Sequence, residues 1–493
     1  MSNDVTRRNF LELAASGAVL TGLGSSHVFA QVSGSDEPSK LSGLPVFDGS
    51  LVDELASLEF AAVDRGGIVR RLPRAVLYPG SVEDVVRMVR YAYAKRIPVV
   101  MRGRGHSAYG QSLVEGGIVI DSSTLNQVAN VSGNTIDIEA GASLGTLARA
   151  AFDAGLRVPV MSGCSTLSVG GWISVGGTAG ESFRHGAFID QVAELQIVSG
   201  SGRLITCSDQ QEPELFAMAL AGMGQCGIIV RAKFRLTTAP ERVIFCTIDY
   251  VSLESFLADQ QRFAADDRLH SLWATISRRE DGSWRYPVTI GRYGASDEDT
   301  DPSAVVGDVS RGRSVAPVRF MYRDIVPPPS AATTSRRPVA VPTGKPNGSK
   351  VISRPALCVY LPASAAHAIM TPLLSSPSDS AGISIIECIA LNTSRFHRPL
   401  FRLPREERVF SCWILRSAHP DHGPSLQSQL DVNAKFLKRA LALGAVRYPP
   451  FGGNTTPADW RAHYGESLYR RFAGAKHRYD ERGILTQGAS IFA

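Results

Sequence analysis

The segment Pro98–Ser112, PVVMRGRGHSAYGQS, determines how the rest of the chain is interpreted. An apolar, strand-like run at Val99–Met101 leads into a loop with three glycines, two arginines and one histidine, His106, between Gly105 and Ser107. Glycine lets backbone amides approach a phosphate closely, because no Cβ stands in the way. The segment therefore predicts a cofactor-binding loop.

The same loop also satisfies part of a dinucleotide-binding pattern. Gly103, Gly105 and Ala108 fit GxGxxA. Asp121 follows near the distance, about 20 residues, at which a Rossmann fold places its ribose carboxylate. A βαβ unit requires a helix in between, but residues 107–117, SAYGQSLVEGG, contain three glycines and no helical apolar period. We therefore predict strand, glycine turn and strand, which disfavours a nicotinamide cofactor.

A second formal match, GMGQCG at Gly222–Gly227, has its neighbouring elements in the wrong order. A helix predicted at Glu214–Ala221 precedes it, and a strand predicted at Ile228–Leu236 follows it. A Rossmann phosphate turn needs the strand first and the helix second. This match therefore adds no support for a nicotinamide-dependent enzyme.

Met161–Gly186, MSGCSTLSVGGWISVGGTAGESFRHG, is a second glycine-rich block. Paired glycines at 170–171 and 176–177 allow close backbone approach, and the serines and threonines supply small hydroxyl donors. A segment of this kind can wrap a diphosphate. The block therefore predicts a second part of the cofactor site.

Short strands alternate with helices around these two blocks. Ala75–Pro79 is predicted as a strand, and Ser81 as the cap of the helix that follows it. Ile136–Gly141 is predicted as another strand, followed by a helix at Leu144–Ala154. This alternation of short elements indicates a mixed α+β domain.

With these elements in place, RGRGHSAYGQ resembles the flavin-attachment loop of the vanillyl-alcohol-oxidase superfamily, with its PCMH-type FAD domain, and most closely that of the cytokinin dehydrogenases. VGG at 169–171 and FRHG at 183–186 are similar to the same family. The resemblance implies an α+β, two-domain PCMH-type fold with a discontinuous FAD domain. The implied ranges are an FAD-binding domain at 45–240, a substrate domain on an antiparallel sheet with helices at 241–447, and a return to the FAD domain at 448–493.

The resemblance also implies how the cofactor is held. In the family the histidine of the GHS triplet bonds covalently to the flavin, and here that residue is His106. Cys164 begins a CxTxxVGG pattern similar to that of berberine-bridge-type oxidases, where the cysteine makes a second covalent bond; an ordinary buried thiol is the alternative. The residues implied to contact FAD are Met101, Gly103, Arg104, Gly105, His106, Ser107, Gln111, Cys164, Ser168, Gly170, Gly171, Ser174, Thr178, Ile229 and Tyr448.

The resemblance does not supply a catalytic base. Where cytokinin dehydrogenases carry an aspartate, this chain has Gly163, which cannot accept a proton. Strand alternation from Ile383 to Leu391 places Glu387 in an apolar row, where burial would raise its pKa. Glu387 is therefore the preferred base, unless it pairs with an arginine or points to solvent, and Glu181 and Tyr448 are the alternatives.

Three further features qualify the resemblance. Val326–Ser349 is rich in Pro, Ser, Thr and Gly without periodicity, which indicates a mobile loop or the edge of a lid. Ile383–Arg395 resembles the family strand that ends in a PLN triplet, with Asn392 in register. The family's glutamine near the carboxyl terminus is Ala489 here, which predicts the loss of one flavin contact.

Together these features predict an FAD-dependent oxidoreductase that takes a hydride from a C–H bond next to nitrogen or oxygen in a small molecule, as in the amine oxidation of cytokinin dehydrogenases. Dioxygen or another electron acceptor would then reoxidise the flavin. A berberine-bridge-type oxidase of carbohydrates, alcohols or secondary metabolites is an alternative that Cys164 favours. A flavin-carrying protein without turnover is another, permitted by Gly163 and Ala489.

The amino terminus resembles a twin-arginine export signal. Arg7 and Arg8 precede a moderately apolar run at Leu13–Leu23, and Val28–Ala30 fits a cleavage site before Gln31. Residues 1–30 are therefore predicted to send the folded chain through the twin-arginine machinery to the periplasm or the medium. The apolar run is too short for stable membrane insertion, and no later stretch reaches the roughly 18 apolar residues of a spanning helix.

The composition is that of a globular protein with two or three domains. The 493 residues are 44% hydrophobic and 20% charged. A net charge of +6 with dispersed lysines and arginines disfavours nucleic-acid binding. The seven cysteines form neither a CxxC pair nor a Cys/His cluster, so no metal site is predicted, and their odd number leaves at least one outside any disulfide.

Overall fold

The computed structural model describes residues 41–296, 298–300, 312–314, 317–327, 352–419, 421–453 and 455–492. The predicted signal at residues 1–30 and nearly all of the loop predicted at Val326–Ser349 lie outside these ranges. Within them the chain forms two mixed domains of helices and sheets, so the predicted α+β fold class is confirmed.

The amino-terminal domain contains two main sheets. Its strands are β1 (Ser50–Val52), β2 (Ala75–Tyr78), β3 (Val99–Arg102), β4 (Ile118–Asp121), β5 (Val128–Ser132), β6 (Thr135–Glu139), β7 (Leu156–Arg157), β8 (Val192–Val198), β9 (Leu204–Ser208), β10 (Ile228–Arg235) and β11 (Thr237–Thr238). Its helices are α1 (Leu55–Ala61), α2 (Val82–Lys95), α3 (Leu144–Asp153), α4 (Val169–Val175), α5 (Ser182–His185) and α6 (Pro213–Ala219). The first sheet has the order β1-β2-β4-β3, with β2, β4 and β3 parallel, and the second is antiparallel in the order β5-β6-β10-β8-β9.

Local sequence accounts for the elements that carry the two glycine-rich segments. Ser81 caps α2, and its hydroxyl accepts a hydrogen bond from the Asp84 amide at 3.3 Å. The glycine-rich residues between β3 and β4 form no helix, and the two strands pair in parallel. At Gly222–Gly227, α6 precedes and β10 follows. Both predictions are confirmed, and neither segment has the geometry of a Rossmann phosphate turn.

The second domain is built on one large antiparallel sheet. Its strands are β12 (Arg242–Tyr250), β13 (Ser271–Arg278), β14 (Trp284–Gly294), β15 (Gly312–Ser314), β16 (Val318–Met321), β17 (Leu357–Pro362), β18 (Ile383–Asn392), β19 (Arg408–Arg416) and β20 (Val446–Arg447). Its helices are α7 (Leu253–Phe263), α8 (Tyr322–Ile325), α9 (Ala366–Ser375), α10 (Pro377–Ser380) and α11 (Leu426–Ala442). The strand order is β15-β12-β14-β13-β18-β19-β17-β20, and β16 also pairs with β12.

Helices cover one face of this sheet and leave the other for the functional site. Phe256 of α7, Ile369 of α9 and Phe436 of α11 pack in one buried cluster with inward residues of the strands. The predicted alternation from Ile383 is wrong at its first residue. An irregularity in the pairing between Ile383 and Ile385 shifts the register, so Ile383 packs against the helix-side cluster.

The carboxyl-terminal segment packs back on the amino-terminal domain through α12 (Pro457–Tyr464) and α13 (Glu466–Tyr479). The buried Asp480 carboxylate accepts hydrogen bonds from the amides of Ile484 and Leu485, at 3.1 and 2.9 Å. This turn places the chain beside β3, where the Val99 amide donates to the Ile484 carbonyl at 2.8 Å and the Thr486 amide donates to the Val99 carbonyl at 2.9 Å. The last residues therefore extend the edge of the sheet that carries the cofactor loop.

A buried carboxylate, Asp64, holds the loop between β3 and β4 in shape. Its Oδ2 atom accepts from the Gly110 amide at 2.7 Å and from the Ser107 hydroxyl at 3.2 Å, and its Oδ1 atom accepts from the Gly66 amide at 3.2 Å. Gly110 has a φ of 79°, a conformation that favours glycine. Burial raises the pKa of Asp64 to about 6, although these hydrogen bonds and the charge of Arg102 oppose the rise.

Replacing Asp64 with alanine should loosen this loop. The Gly110 amide would lose its acceptor inside the protein, which typically costs about 1–3 kcal/mol. We expect amide exchange in residues 103–112 to become about tenfold faster or more, measured by hydrogen-exchange mass spectrometry. Ser112→Ala is the matched control, because it removes only the 3.0 Å hydroxyl contact with Ser107. Unchanged exchange in Asp64→Ala would mean that the loop holds its own shape.

Candidate active site

A cavity of about 1690 Å³, counted to its open mouth, is lined by residues of both domains. Every residue predicted to contact the cofactor lines it, namely Met101, Gly103, Arg104, Gly105, His106, Ser107, Gln111, Cys164, Ser168, Gly170, Gly171, Ser174, Thr178, Ile229 and Tyr448. The structure thus brings together residues from four separate parts of the sequence.

His106 faces this cavity as a neutral imidazole. Arg65 donates a hydrogen bond from Nη1 to His106 Nδ1, at 3.2 Å. Burial, together with the positive charges of Arg65, Arg102 and Arg104, lowers the pKa of His106 to about 3. The ring is therefore unprotonated at neutral pH, which is the state in which a histidine can act as a nucleophile.

Cys164 lines the same cavity close to the guanidinium that binds His106. The thiol is buried, and its sulfur lies 3.4 Å from the Thr166 hydroxyl. Burial lowers the pKa of Arg65 to about 10, the charge of Arg354 adds to the effect, and the proximity of Cys164 opposes it. One arginine therefore interacts with both of the side chains predicted to bond to a flavin.

Glycines form a part of the wall that no other residue could form. A Cβ atom at Gly103 would lie 2.1 Å from Ser168 Oγ, and one at Gly171 would lie 2.6 Å from the same atom. At Gly170 it would lie 2.7 Å from the Cβ of Ala140. Bare backbone therefore faces the cavity where the two glycine-rich segments meet, as a diphosphate would require.

Two arginines give this wall a positive charge. Arg104 lines the cavity, and the buried Arg102 beside it has an Nη1 atom with no hydrogen-bond partner among the described residues. Asp121, the residue that a Rossmann site would use for ribose, instead accepts from the Ser123 amide at 2.9 Å. The donors and glycines present therefore fit FAD.

The second domain supplies the opposite wall by strand alternation. Glu387 and Ile389 of β18 and Ser411, Trp413 and Leu415 of β19 face the cavity. The intervening residues face the helices of the domain and pack in its core: Ile386, Cys388, Ala390, Phe410, Cys412 and Ile414. The same two strands therefore build both the core and the cavity wall.

Aromatic rings dominate this wall. Trp273, Trp413, Tyr448 and Phe451 all line the cavity. The Trp413 ring centroid lies 4.8 Å from that of Phe451 and 5.3 Å from that of Tyr448. Such a surface suits a flat, largely apolar ligand.

Glu387 is a carboxylate in the middle of this apolar wall. It pairs across the sheet with Thr275 on one side and with Trp413 on the other. Burial alone raises the pKa of Glu387 to about 7, and no described residue hydrogen-bonds or ion-pairs with its side chain. Pairing with an arginine, the structural alternative predicted for Glu387, is therefore not observed.

Of the two other predicted bases, Glu181 and Tyr448, only Tyr448 lines the cavity. Glu181 lies outside the cavity, because β14 packs against it and Tyr293 of that strand donates to Glu181 Oε1 at 3.2 Å. The prediction of a catalytic Glu181 is therefore corrected. Tyr448 does line the cavity, but burial raises the pKa of its phenol well above the usual value, so the phenol stays protonated at neutral pH.

Sequence reasoning missed several residues of the site. Asp64 and Arg65 act on the cofactor loop from far upstream, and the only local signal for them was a charged pair before two glycines. Trp413 could have been found from the alternation of its strand. Ala489, predicted to leave a flavin contact missing, does not line the cavity; its carbonyl accepts from Trp460 Nε1 at 3.1 Å, and Thr486 lines the cavity instead.

Three observations apply to the part of the chain that the structure describes. There the seven cysteines are all buried, and none forms a disulfide. No cluster of His, Cys, Asp or Glu within the described ranges could hold a metal ion. Among the described helices, none has the length and apolar character to span a membrane.

Comparison with known proteins agrees with this geometry. Residues 73–208 match the FAD binding domain, and residues 345–492 match the domain described as cytokinin dehydrogenase 1, FAD and cytokinin binding. These segments contain the cofactor loop with the second glycine block, and the β18–β19 wall with the carboxyl-terminal return, respectively.

Relatives match over most of their length. An uncharacterized oxidoreductase of the fasciation locus of Rhodococcoides fascians is 29% identical over 87% of this chain and 96% of its own. Cytokinin dehydrogenase 4 of Oryza sativa subsp. japonica is 28% identical over 88% of each chain, and cytokinin dehydrogenase 3 of Arabidopsis thaliana is 26% identical over 90% of this chain and 91% of its own. The chain is therefore a PCMH-type FAD-dependent oxidoreductase related to the cytokinin dehydrogenases.

Proposed function

We propose that this protein oxidises a flat, unsaturated amine or alcohol at a carbon next to the heteroatom, with cytokinins as the first substrates to test. The observation that carries this proposal is Glu387, a carboxyl group with no hydrogen-bond or ion-pair partner among the described residues, in an aromatic wall that faces the glycine-lined cofactor wall. The names of the relatives add cytokinins as candidates. Gly163 lines the cavity where the family's aspartate would stand, so a different group must accept the proton.

Different residues of the chain would hold the cofactor, accept the proton and position the substrate. Gly103, Gly170 and Gly171 would let the cofactor lie against bare backbone, and His106 would anchor it. When bound, FAD supplies a two-electron acceptor for the hydride of the substrate carbon. Glu387 takes the proton from the substrate's nitrogen or oxygen, and the aromatic wall holds the substrate flat while it excludes water.

Glu387→Gln should remove the base without changing the shape of the wall. Because a carboxyl group with a pKa of about 7 is a base only when ionised, the wild-type rate of flavin reduction should rise as the pH increases through about 7. In the variant, the rate above pH 7 should fall by about a hundredfold or more, and the rise should disappear. Anaerobic stopped-flow bleaching of the flavin with an active substrate measures both.

The exposed Glu280 gives the matched control, and Glu280→Gln should behave as wild type. A wild-type rate and pH profile in Glu387→Gln would eliminate Glu387 as the base. If no amine, alcohol or sugar bleaches the flavin of the wild-type protein, a flavin-carrying role without turnover replaces the proposal.

Covalent attachment of the flavin is the second part of the proposal. A neutral His106 and a buried Cys164 both line the cavity, and the Arg65 guanidinium interacts with both side chains. A bond at Cys164 in addition to the one at His106 would be a property of berberine-bridge-type oxidases and makes oxidation of carbohydrates or other alcohols the second candidate function.

The number of bonds can be counted by mass. Wild-type protein precipitated with acid should stay yellow, and its intact mass should exceed that of the chain by one FAD. If both bonds form, His106→Ala and Cys164→Ala should each keep FAD after denaturation, and the double variant should lose it. If only the His106 bond forms, His106→Ala alone should lose all FAD. A colourless wild-type precipitate would contradict covalent attachment.

Export through the twin-arginine route is the third part of the proposal, and it rests on residues 1–30 of the sequence. A route that carries folded proteins suits a chain that must take up its flavin before it leaves the cytoplasm. In a bacterial host with this route, the wild-type flavoprotein should be recovered from the periplasm with Gln31 as its first residue. Replacing Arg7 and Arg8 with lysines should leave it in the cytoplasm. Equal export of both forms would contradict the proposal.

A further inference from the structure

A second, smaller cleft of about 460 Å³ lies where α5 of the amino-terminal domain meets the second domain. Its wall includes Arg184 of α5, Asn392 at the end of β18, Arg395 just beyond it, and Arg408 at the start of β19. We propose that this cleft binds a small oxyanion, phosphate or sulfate in chemistry, and that the anion joins the two domains. None of its residues lines the large cavity.

Positive charge in the cleft is not balanced by acidic residues of its wall. Three guanidinium groups line it, against a single carboxylate, that of the exposed Asp267. Like charges that converge on one cleft repel each other, and the repulsion is relieved when an anion enters. Guanidinium groups suit oxyanions because their planar forks match the geometry of two oxygen atoms.

The hydrogen bonds of the wall leave donors free for a ligand. Arg184 uses Nη1 to donate to the main-chain carbonyls of Asp267 and Leu269. Arg408 pairs with Glu407 at 2.8 Å. Arg395 has no hydrogen bond or ion pair to any described residue, so its whole guanidinium group is available to a ligand.

Asn392 adds a neutral donor to the same cleft. Its Oδ1 atom accepts from the amide and the hydroxyl of Ser394, at 3.2 and 2.8 Å, which turns the oxygen toward the chain. The amide nitrogen of Asn392 is therefore left as a donor. Arg184 belongs to the FRHG motif and Asn392 stands in register with the PLN triplet, so two motifs that do not line the cofactor cavity meet here.

The positive charge of the cleft also acts on a neighbouring side chain, His185. Burial, together with the positive charges of Arg157, Arg184 and Arg395, lowers the pKa of His185 to about 4. The Nε2 atom of His185 is buried without a hydrogen-bond partner among the described residues. A positive potential therefore extends from the cleft into the junction of the domains.

Binding should be measured on the intact flavoprotein, with inorganic phosphate and sulfate as probes and chloride to keep the ionic strength constant. We expect saturable heat in calorimetry and a thermal midpoint that rises with phosphate concentration, because a ligand that binds only the folded state stabilises it. Arg395→Gln should weaken binding about tenfold or more without changing the flavin spectrum, since this exposed side chain has no partner to lose.

Arg405→Gln is the matched control, because Arg405 is also exposed and lies outside the cleft. It should bind phosphate as the wild type does. The proposal is overturned if phosphate and sulfate act no differently from chloride, if Arg395→Gln binds as the wild type, or if Arg405→Gln loses as much affinity. A phosphate monoester that binds more tightly than phosphate assigns the cleft to a phosphorylated metabolite, and the reverse order assigns it to the free ion.

Discussion

The acceptor that Asp64 offers to the loop between β3 and β4 is the contact on which the site depends. A loop rich in glycine has few side chains with which to fix its own shape, and glycine loses more backbone entropy than any other residue when it is ordered. A carboxylate buried beneath the loop compensates by binding the amide of Gly110 and the hydroxyl of Ser107. His106 is thereby held toward the cavity. Arg65, which follows Asp64 in the chain, donates a hydrogen bond to the His106 ring.

The large sheet of the second domain explains how an ionisable group comes to lie in an apolar wall. One face of β18 and β19 is covered by helices and the other faces the cavity, where Glu387 is half-buried. A carboxylate on such a strand loses hydration without gaining a charged partner, and the pKa of Glu387 rises to about 7 as a result. The aromatic neighbours that make the site suitable for a flat ligand are therefore also the reason that Glu387 can act as a base near neutral pH.

Prediction from the sequence succeeded where a feature depends on residues close together in the chain. The absence of a helix between β3 and β4 follows from three glycines in eleven residues, and the reversed order around Gly222–Gly227 follows from apolar periodicity. It failed where a contact spans a long separation. Asp64 and Arg65 lie 46 and 41 residues before their partners Gly110 and His106, and the charged pair before two glycines that marks them locally does not indicate which residues they contact. Glu181 was misassigned because it follows the glycine block in sequence, whereas β14 packs against it in space.

The proposed base, Glu387, and position 163 lie on different walls of the cavity. This difference alters how the proposed chemistry depends on the fold. An aspartate at position 163 would belong to the domain that holds the cofactor, so its position relative to the flavin would be set within a single domain. Glu387 belongs to the second domain, and its distance from the cofactor is set by how the two domains pack. Because a displacement of about 1 Å can cost about a hundredfold in rate, the domain junction becomes part of the catalytic machinery. The arginine-lined cleft lies at the same junction, outside the cavity that Glu387 lines.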